Sequence, residues 1–234
     1  LVECTSIEDW KQKARGHKVF ITPHHMGYQT GYRGYNWDFF TEGEQTPFVE
    51  MYSRHGLAET DQGDYNYLHD MGPRQWEGTI QCGLEQGKKF GIMGSTDQHA
   101  GYPGSYGDGR IGVLAESLTR DKIWDAMKNR HVCCATGDKI NIDFRLNDAF
   151  PGDVVRGNSR RIYLNVEAGS CIDYIDIVKN RKCIARLSGP LLPEMPEGDM
   201  VRCKVKVEFG WNREEAYVHW QGKLAVNKGT INAV

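Results

Sequence analysis

The sequence predicts an α/β domain with a parallel sheet over residues 1–138, followed by a small antiparallel β-sandwich over residues 139–234. Three observations carry this reading. Short apolar runs of strand length alternate with helix-like segments as far as Asp138, the pattern of a parallel sheet with crossover helices. Histidines and carboxylates stand just past the C-terminal ends of those runs, where α/β barrels and open α/β sheets place their sites. From Lys139 onward apolar and polar residues alternate, as in strands with one face in water.

Taken in order, Ser6 to Arg15 predicts a short helix: Ser6 caps it, Glu8 and Asp9 occupy the first turn, and Gly16 stops it. Lys18 to Thr22 predicts a strand that ends in Pro23-His24-His25-Met26-Gly27. Tyr28 to Phe40 is rich in Gly, Tyr and Trp; it reads as an aromatic cluster covering a barrel end, or as a lid over a pocket. Phe48 to Tyr52 is the next strand. Asp61 to Met71 reads as loop, with His69 structural. Pro73 to Gln86 predicts a helix, with Trp76, Ile80 and Leu84 at a spacing of four. Strands then follow at Phe90–Met93, Ile111–Ala115 and His131–Ala135, with a helix capped by Thr119 between the last two. In the tail, strands are expected at Ile140–Leu146, Arg161–Val166, Lys204–Phe209 and Tyr217–Trp220, and His219 reads as an ordinary strand residue.

Composition excludes some partners. The net charge of -2 provides no field that would draw nucleic acid or a membrane surface, and no apolar run has the length of a membrane span. Seven cysteines occur, none in a Cys-x-x-Cys pair, so zinc-ribbon and thioredoxin readings have no support. Cys133 and Cys134 read as buried thiols, while Cys171, Cys183 and Cys203 allow one disulfide.

The chemistry concentrates at three strand ends. Asp97 and His99, two apart in extended backbone, face one spot, and their oxygen and nitrogen donors suit Zn²⁺, Mn²⁺ or Fe²⁺. The Gly- and Pro-containing stretch from Gly101 to Gly109 lets backbone approach a ligand. His24 and His25 repeat that layout, against the competing reading of loop histidines bonded to backbone. Glu50, inside an apolar strand, needs a partner or a cation: it faces the same pocket or pairs with an arginine. His55 lies at the same rim.

Thr22-Pro-His-His-Met-Gly27, Val49-Glu-Met-Tyr-Ser-Arg-His-Gly56 and Gly94-Ser-Thr-Asp-Gln-His-Ala-Gly-Tyr-Pro-Gly104 together resemble the PHP (polymerase and histidinol phosphatase) superfamily, and more closely its DUF3604 branch. Leu118-Thr-Arg120, Ile123-Trp-Asp-Ala126 and Ala135-Thr-Gly-Asp138 are similar to that branch too. The resemblance implies the C-terminal part of a distorted (β/α)₇ barrel with two or three divalent ions (Zn, Mn or Fe) and hydrolysis of phosphate esters. It matches Asp97 and His99 to the family's final metal pair and one of His24 and His25 to an earlier ligand. Glu50 and His55 fall in a motif of the branch. Together with Asp97 and His99 they form the expected catalytic group, while His24, His25, Asp97 and His99 form the expected metal set. Arg54, Arg74 and Arg110 are available for phosphate charge, with a solvated role the default for each. The family's initial His-x-His strand does not occur in this sequence, so the resemblance places the N-terminal half on a longer polypeptide. Two other readings compete: a catalytically incomplete module that binds a carbohydrate or protein, and a metal-dependent hydrolase of a non-phosphate bond.

Overall fold

The computed structural model describes residues 3–43, 45–61, 72–105, 108–169 and 171–188, with isolated positions at 219, 221–223, 225 and 230. The chain divides into two compact units, Leu1–Ser170 and Cys171–Val234.

Helix α1 (Ile7–Ala14) forms where its caps predict: Ser6 is extended and its hydroxyl accepts from the Asp9 amide at 3.1 Å. Lys18 to Thr22 makes no strand. Ile21 donates its amide to the Gln45 carbonyl at 2.7 Å. Phe20 stacks on Trp124 with centroids 3.9 Å apart and meets Phe48 edge-on at 5.4 Å. Packing of one aromatic ring, rather than a hydrogen-bonded ladder, therefore fixes the approach to His24.

Strands β1 (Phe48–Ser53), β2 (Gly56–Leu57) and β3 (Gly91–Gly94) form a sheet in the order β2-β1-β3. β1 runs parallel to β3, with Glu50 beside Met93, and antiparallel to β2. Between β2 and β3 the expected helix over 73–86 is broken into a 3₁₀ turn at Trp76–Gly78 and α2 (Ile80–Glu85). Thr79 causes the break. It is extended and fully buried, its hydroxyl donates to the Trp76 carbonyl at 2.8 Å, and it accepts from the Cys82 amide at 3.2 Å. A local side-chain cap has won over the apolar period.

The core gathers Met26, Trp37, Phe40, Val49, Ala58, Ile80 and Phe90, with Tyr35, Met51 and Ile92 against it. Trp37 stacks on Phe90 at 4.9 Å and donates its indole N–H to the Thr79 carbonyl at 2.9 Å. A Cβ on Gly83 would stand 2.3 Å from the Trp37 ring, so only glycine lets α2 pass there. The aromatic segment 28–40 thus supplies core: Tyr28, Trp37 and Phe40 are buried, while Tyr32 and Phe39 remain exposed.

Strands β4 (Gly109–Val113) and β5 (Val132–Thr136) pair antiparallel, with α3 (Arg120–Lys128) between them in sequence and Thr119 as its cap. A Cβ on Gly91 would lie 2.7 Å from Val132, and one on Gly94 would lie 2.6 Å from the Arg110 carbonyl. β3 is therefore pressed against β4 and β5, and the segment after it is held in place. β6 (Asn141–Leu146) pairs antiparallel with β7 (Ile162–Glu167). β8 (Tyr174–Lys179) pairs with β9 (Lys182–Ser188) through Asn180 and Arg181, both left-handed as a tight hairpin turn requires.

The fold class expected from the sequence is thereby corrected. Among the described residues three α-helices accompany mostly small antiparallel sheets, parallel pairing between strands is confined to β1 and β3, and no (β/α)₇ barrel or part of one closes. Alternation of apolar runs with helices reports burial but not strand direction, and β4 and β5 turn back on each other where a barrel would keep them parallel. Of the expected antiparallel tail, the described residues form two two-stranded ladders, β6–β7 and β8–β9. The tail strands at 204–209 and 217–220, together with His69 and Cys203, lie outside the described residues, although His219 itself is described as exposed and non-strand. Cys171 and Cys183 are free thiols. No helix among the described residues is long and apolar enough to cross a membrane.

Candidate metal centre

Three short connections bring the histidines and carboxylates together. His24 and His25 precede Gly27, which has a left-handed φ of 74° and donates its N–H to the Gly78 carbonyl at 2.8 Å, in the 3₁₀ turn before α2. A Cβ at Gly27 would stand 3.2 Å from Ala58. His55 sits in the two-residue turn between β1 and β2. Its amide donates to Ser53 Oγ at 3.1 Å and its carbonyl accepts from the Tyr28 hydroxyl at 2.5 Å. Asp97 and His99 follow β3, with Asp97 at φ 46°, a left-handed conformation that aspartate tolerates better than most residues.

These connections converge on one atom. Asp97 Oδ2 lies 3.2 Å from His55 Nε2, 3.5 Å from His24 Nε2 and 3.7 Å from His25 Nε2. It is buried and accepts no hydrogen bond. Two ligand atoms, each about 2.1 Å from a tetrahedral ion, stand about 3.4 Å apart. The spacing is compatible with donors around one cation.

Two donor groups satisfy this arrangement and share Asp97: His24, His25 and Asp97 form one, and His55, Asp97 and His99 form the other. Within each group the ligand atoms lie within 4.8 Å of one another. His55 is buried while His24 and His99 are exposed, so the site runs from a closed floor to an open rim. The mixed imidazole and carboxylate donors fit a borderline divalent ion such as Zn²⁺, Mn²⁺ or Fe²⁺.

Glu50 approaches from the opposite side. Its Oε1 lies 3.0 Å from His24 Nδ1 and 3.7 Å from His25 Nδ1, and its Oε2 accepts from Ser95 Oγ at 2.6 Å. The two imidazoles, with centroids 3.3 Å apart, thus lie between Glu50 at their Nδ1 edge and Asp97 at their Nε2 edge. Glu50 belongs to neither donor group. Burial pushes its carboxyl pKa up, but hydrogen bonds from His24, His25 and Ser95 outweigh burial and hold it down at about 2. At His24 burial disfavours the charged ring, yet the hydrogen bond to Glu50 and the charges of Glu50 and Asp97 raise its pKa.

The structure brings together His24, His25, Glu50, His55, Asp97 and His99, every histidine and carboxylate singled out from the sequence for the site. Of the three arginines, Arg54 reaches it: its Nη1 donates at 2.9 Å to Gln98 Oε1, between Asp97 and His99. Arg74 instead bonds the Leu57 carbonyl and packs over the Tyr28 ring at 4.9 Å. Arg110 belongs to β4 and pairs with Ala135 in the ladder. Sequence reasoning missed Ser95, the partner of Glu50, and the role of Gln98 in holding Arg54. The signal for Ser95 was its position directly after a buried strand, beside the strand that carries Glu50.

Comparisons with known proteins add little to this geometry. Over 160 residues the chain is 24% identical to an uncharacterized protein of Chlamydia pneumoniae, in a match covering 61% of this chain and 26% of that protein. The chain spans about a quarter of the length of the curated relative it matches. No family model and no solved structure matches the chain.

Proposed function

We propose that the chain carries the metal centre of a hydrolase that acts on phosphate esters. The convergence of three imidazole Nε2 atoms on the buried, otherwise unbonded Asp97 Oδ2 is the observation that supports this. Asp97 serves both donor groups, so the reading is a two-ion site with Asp97 as the shared ligand, His24 and His25 on one side and His55 and His99 on the other. Divalent ions, if held there by these residues, would supply Lewis acidity and would lower the pKa of a coordinated water toward about 7. The phosphate ester is the substrate class implied by the motif resemblance, and Arg54, held beside the site by Gln98, has the planar fork that suits a phosphate oxygen pair.

The residues divide the work by position. Exposed His24 and His99 leave the rim open for a substrate, while buried His55 and its backbone anchors fix the floor. Gln98 also accepts from the Ala100 amide at 2.8 Å and donates to Ser105 Oγ at 3.3 Å, which ties the loop after His99 to Arg54. The test is an assay of purified protein on p-nitrophenyl phosphate before and after chelation. Hydrolysis that is lost on chelation and restored by Zn²⁺, Mn²⁺ or Fe²⁺ is expected. Turnover indifferent to chelator, or no turnover with any of these ions, would refute the proposal. Chelator-sensitive cleavage confined to a carboxylic ester or amide would keep the centre and replace the substrate class.

A further inference from the structure

Nothing in the donor groups requires Glu50, yet it is the best-held carboxylate near them. It is 7% exposed, sits within β1, contacts both histidines and is clamped by Ser95. An ionised carboxylate only accepts hydrogen bonds. At 3.0 Å from Glu50 Oε1, His24 Nδ1 must therefore be the donor. On a neutral ring this puts the lone pair on Nε2, the atom that faces Asp97 Oδ2 across 3.5 Å. Two acceptors set face to face repel unless a proton or a metal ion lies between them.

Resting on the metal-site reading, we infer that Glu50, clamped by Ser95, is a positioning residue that holds the proton of His24 on Nδ1 and so presents Nε2 to the cation site at Asp97. Neutral histidine free in water favours the opposite tautomer, with the proton on Nε2, so the fold must impose this one. Carboxylates that orient a metal-bound imidazole in this way also raise its basicity, and their removal weakens metal binding about 10- to 100-fold. Ser95 contributes by fixing the carboxylate plane through Oε2 while Oε1 faces the rings. Its own backbone anchors it, because the Ser95 amide donates to the Tyr52 carbonyl at 2.9 Å and so extends the β1–β3 ladder by one step.

The test pairs a tautomer measurement with a metal titration. Long-range ¹⁵N–¹H spectra of the chelated full chain, above the titration of His24, report which ring nitrogen carries the proton, and Co²⁺ titration followed by visible absorption reports affinity. The expected wild-type result is an Nδ1–H tautomer at His24, with Co²⁺ binding about 10-fold or more weaker in Glu50→Ala and weaker by a smaller factor in Ser95→Ala. Should Glu50→Ala fail to fold by circular dichroism, Ser95→Ala and Glu50→Gln carry the comparison. An Nε2–H tautomer in wild type overturns the inference, as does unchanged Co²⁺ affinity in the folded variants. An Nδ1–H tautomer that Glu50→Ala abolishes, in a protein that binds no Co²⁺, upholds the positioning role and removes the metal-site reading instead.

Discussion

Replacing Glu50 by Gln removes one charge and leaves the shape nearly unchanged, and the structure sets the size of the effect. Glu50 is buried, and hydrogen bonds to its carboxylate depress its pKa from 4.5 to about 2. That depression corresponds to about 3 kcal/mol of stability for the metal-free protein. Because the folded pKa lies below the unfolded one, the contribution is complete above the unfolded value of 4.5 and is lost as pH falls through about 2. By linkage it drops from about 3 kcal/mol at pH 7 to about half of that at pH 3. The raised pKa of His24 reports the same contact and is not added to this figure. Urea unfolding of chelated wild type and Glu50→Gln, followed by far-ultraviolet circular dichroism at pH 7 and pH 3, measures it. The expected result is a gap of about 2–3 kcal/mol at pH 7 that narrows clearly at pH 3. A gap below about 0.5 kcal/mol at pH 7, or one that does not change with pH, would refute the reasoning.

Four further outcomes follow from particular contacts. Because a bound ion must displace the proton from His24, whose pKa is raised, metal affinity should strengthen from pH 6 to pH 8 with proton release, as isothermal titration in two buffers of different ionisation enthalpy would show. Asp97→Ala removes the ligand common to both groups and should abolish all bound metal, whereas His99→Ala should retain the ion held by His24, His25 and Asp97; elemental analysis separates the two. Gly83→Ala drives a methyl group into the Trp37 ring and should cost about 1–3 kcal/mol, read as a lowered melting temperature with altered tryptophan fluorescence. Among the described cysteines, exposed Cys171 and Cys183 should react with iodoacetamide in the native protein. Burial, then the charges of Cys133 and Glu50, pushes Cys134 up to about 12, so mass spectrometry should find it labelled only after unfolding.

The site was more legible in the sequence than the fold was. Asp97 and His99 stood out as polar metal donors placed directly after a buried strand and before a Gly-rich stretch, and Glu50 because a carboxylate in an apolar run demands a partner. Their convergence needed only that the segments meet at one end, which the parallel pairing of β1 with β3 provides. Helices α1 and α3 were visible through Ser6 and Thr119, since a cap is a local interaction. What stayed hidden was non-local. Whether β4 runs with or against β5 depends on how the chain crosses the sheet, and the apolar content of the strands does not encode that choice. The break before α2 came from Thr79, whose buried hydroxyl bonds were not apparent from the spacing of Trp76, Ile80 and Leu84. Lys18 to Thr22 has a strand-like composition, yet its position is fixed by Phe20 stacking on Trp124, a contact between residues about a hundred positions apart.

Anomalous X-ray scattering at the Zn, Mn and Fe edges, from crystals of protein purified without chelator, tests the metal centre most directly. The expected result is an anomalous peak about 2.0–2.2 Å from Asp97 Oδ2, at the same distance from Nε2 of His24 and His25, with the second ion toward His55 and His99. Crystals soaked in these ions that show no peak there, with Asp97 Oδ2 hydrogen-bonded to a protonated imidazole instead, would contradict it.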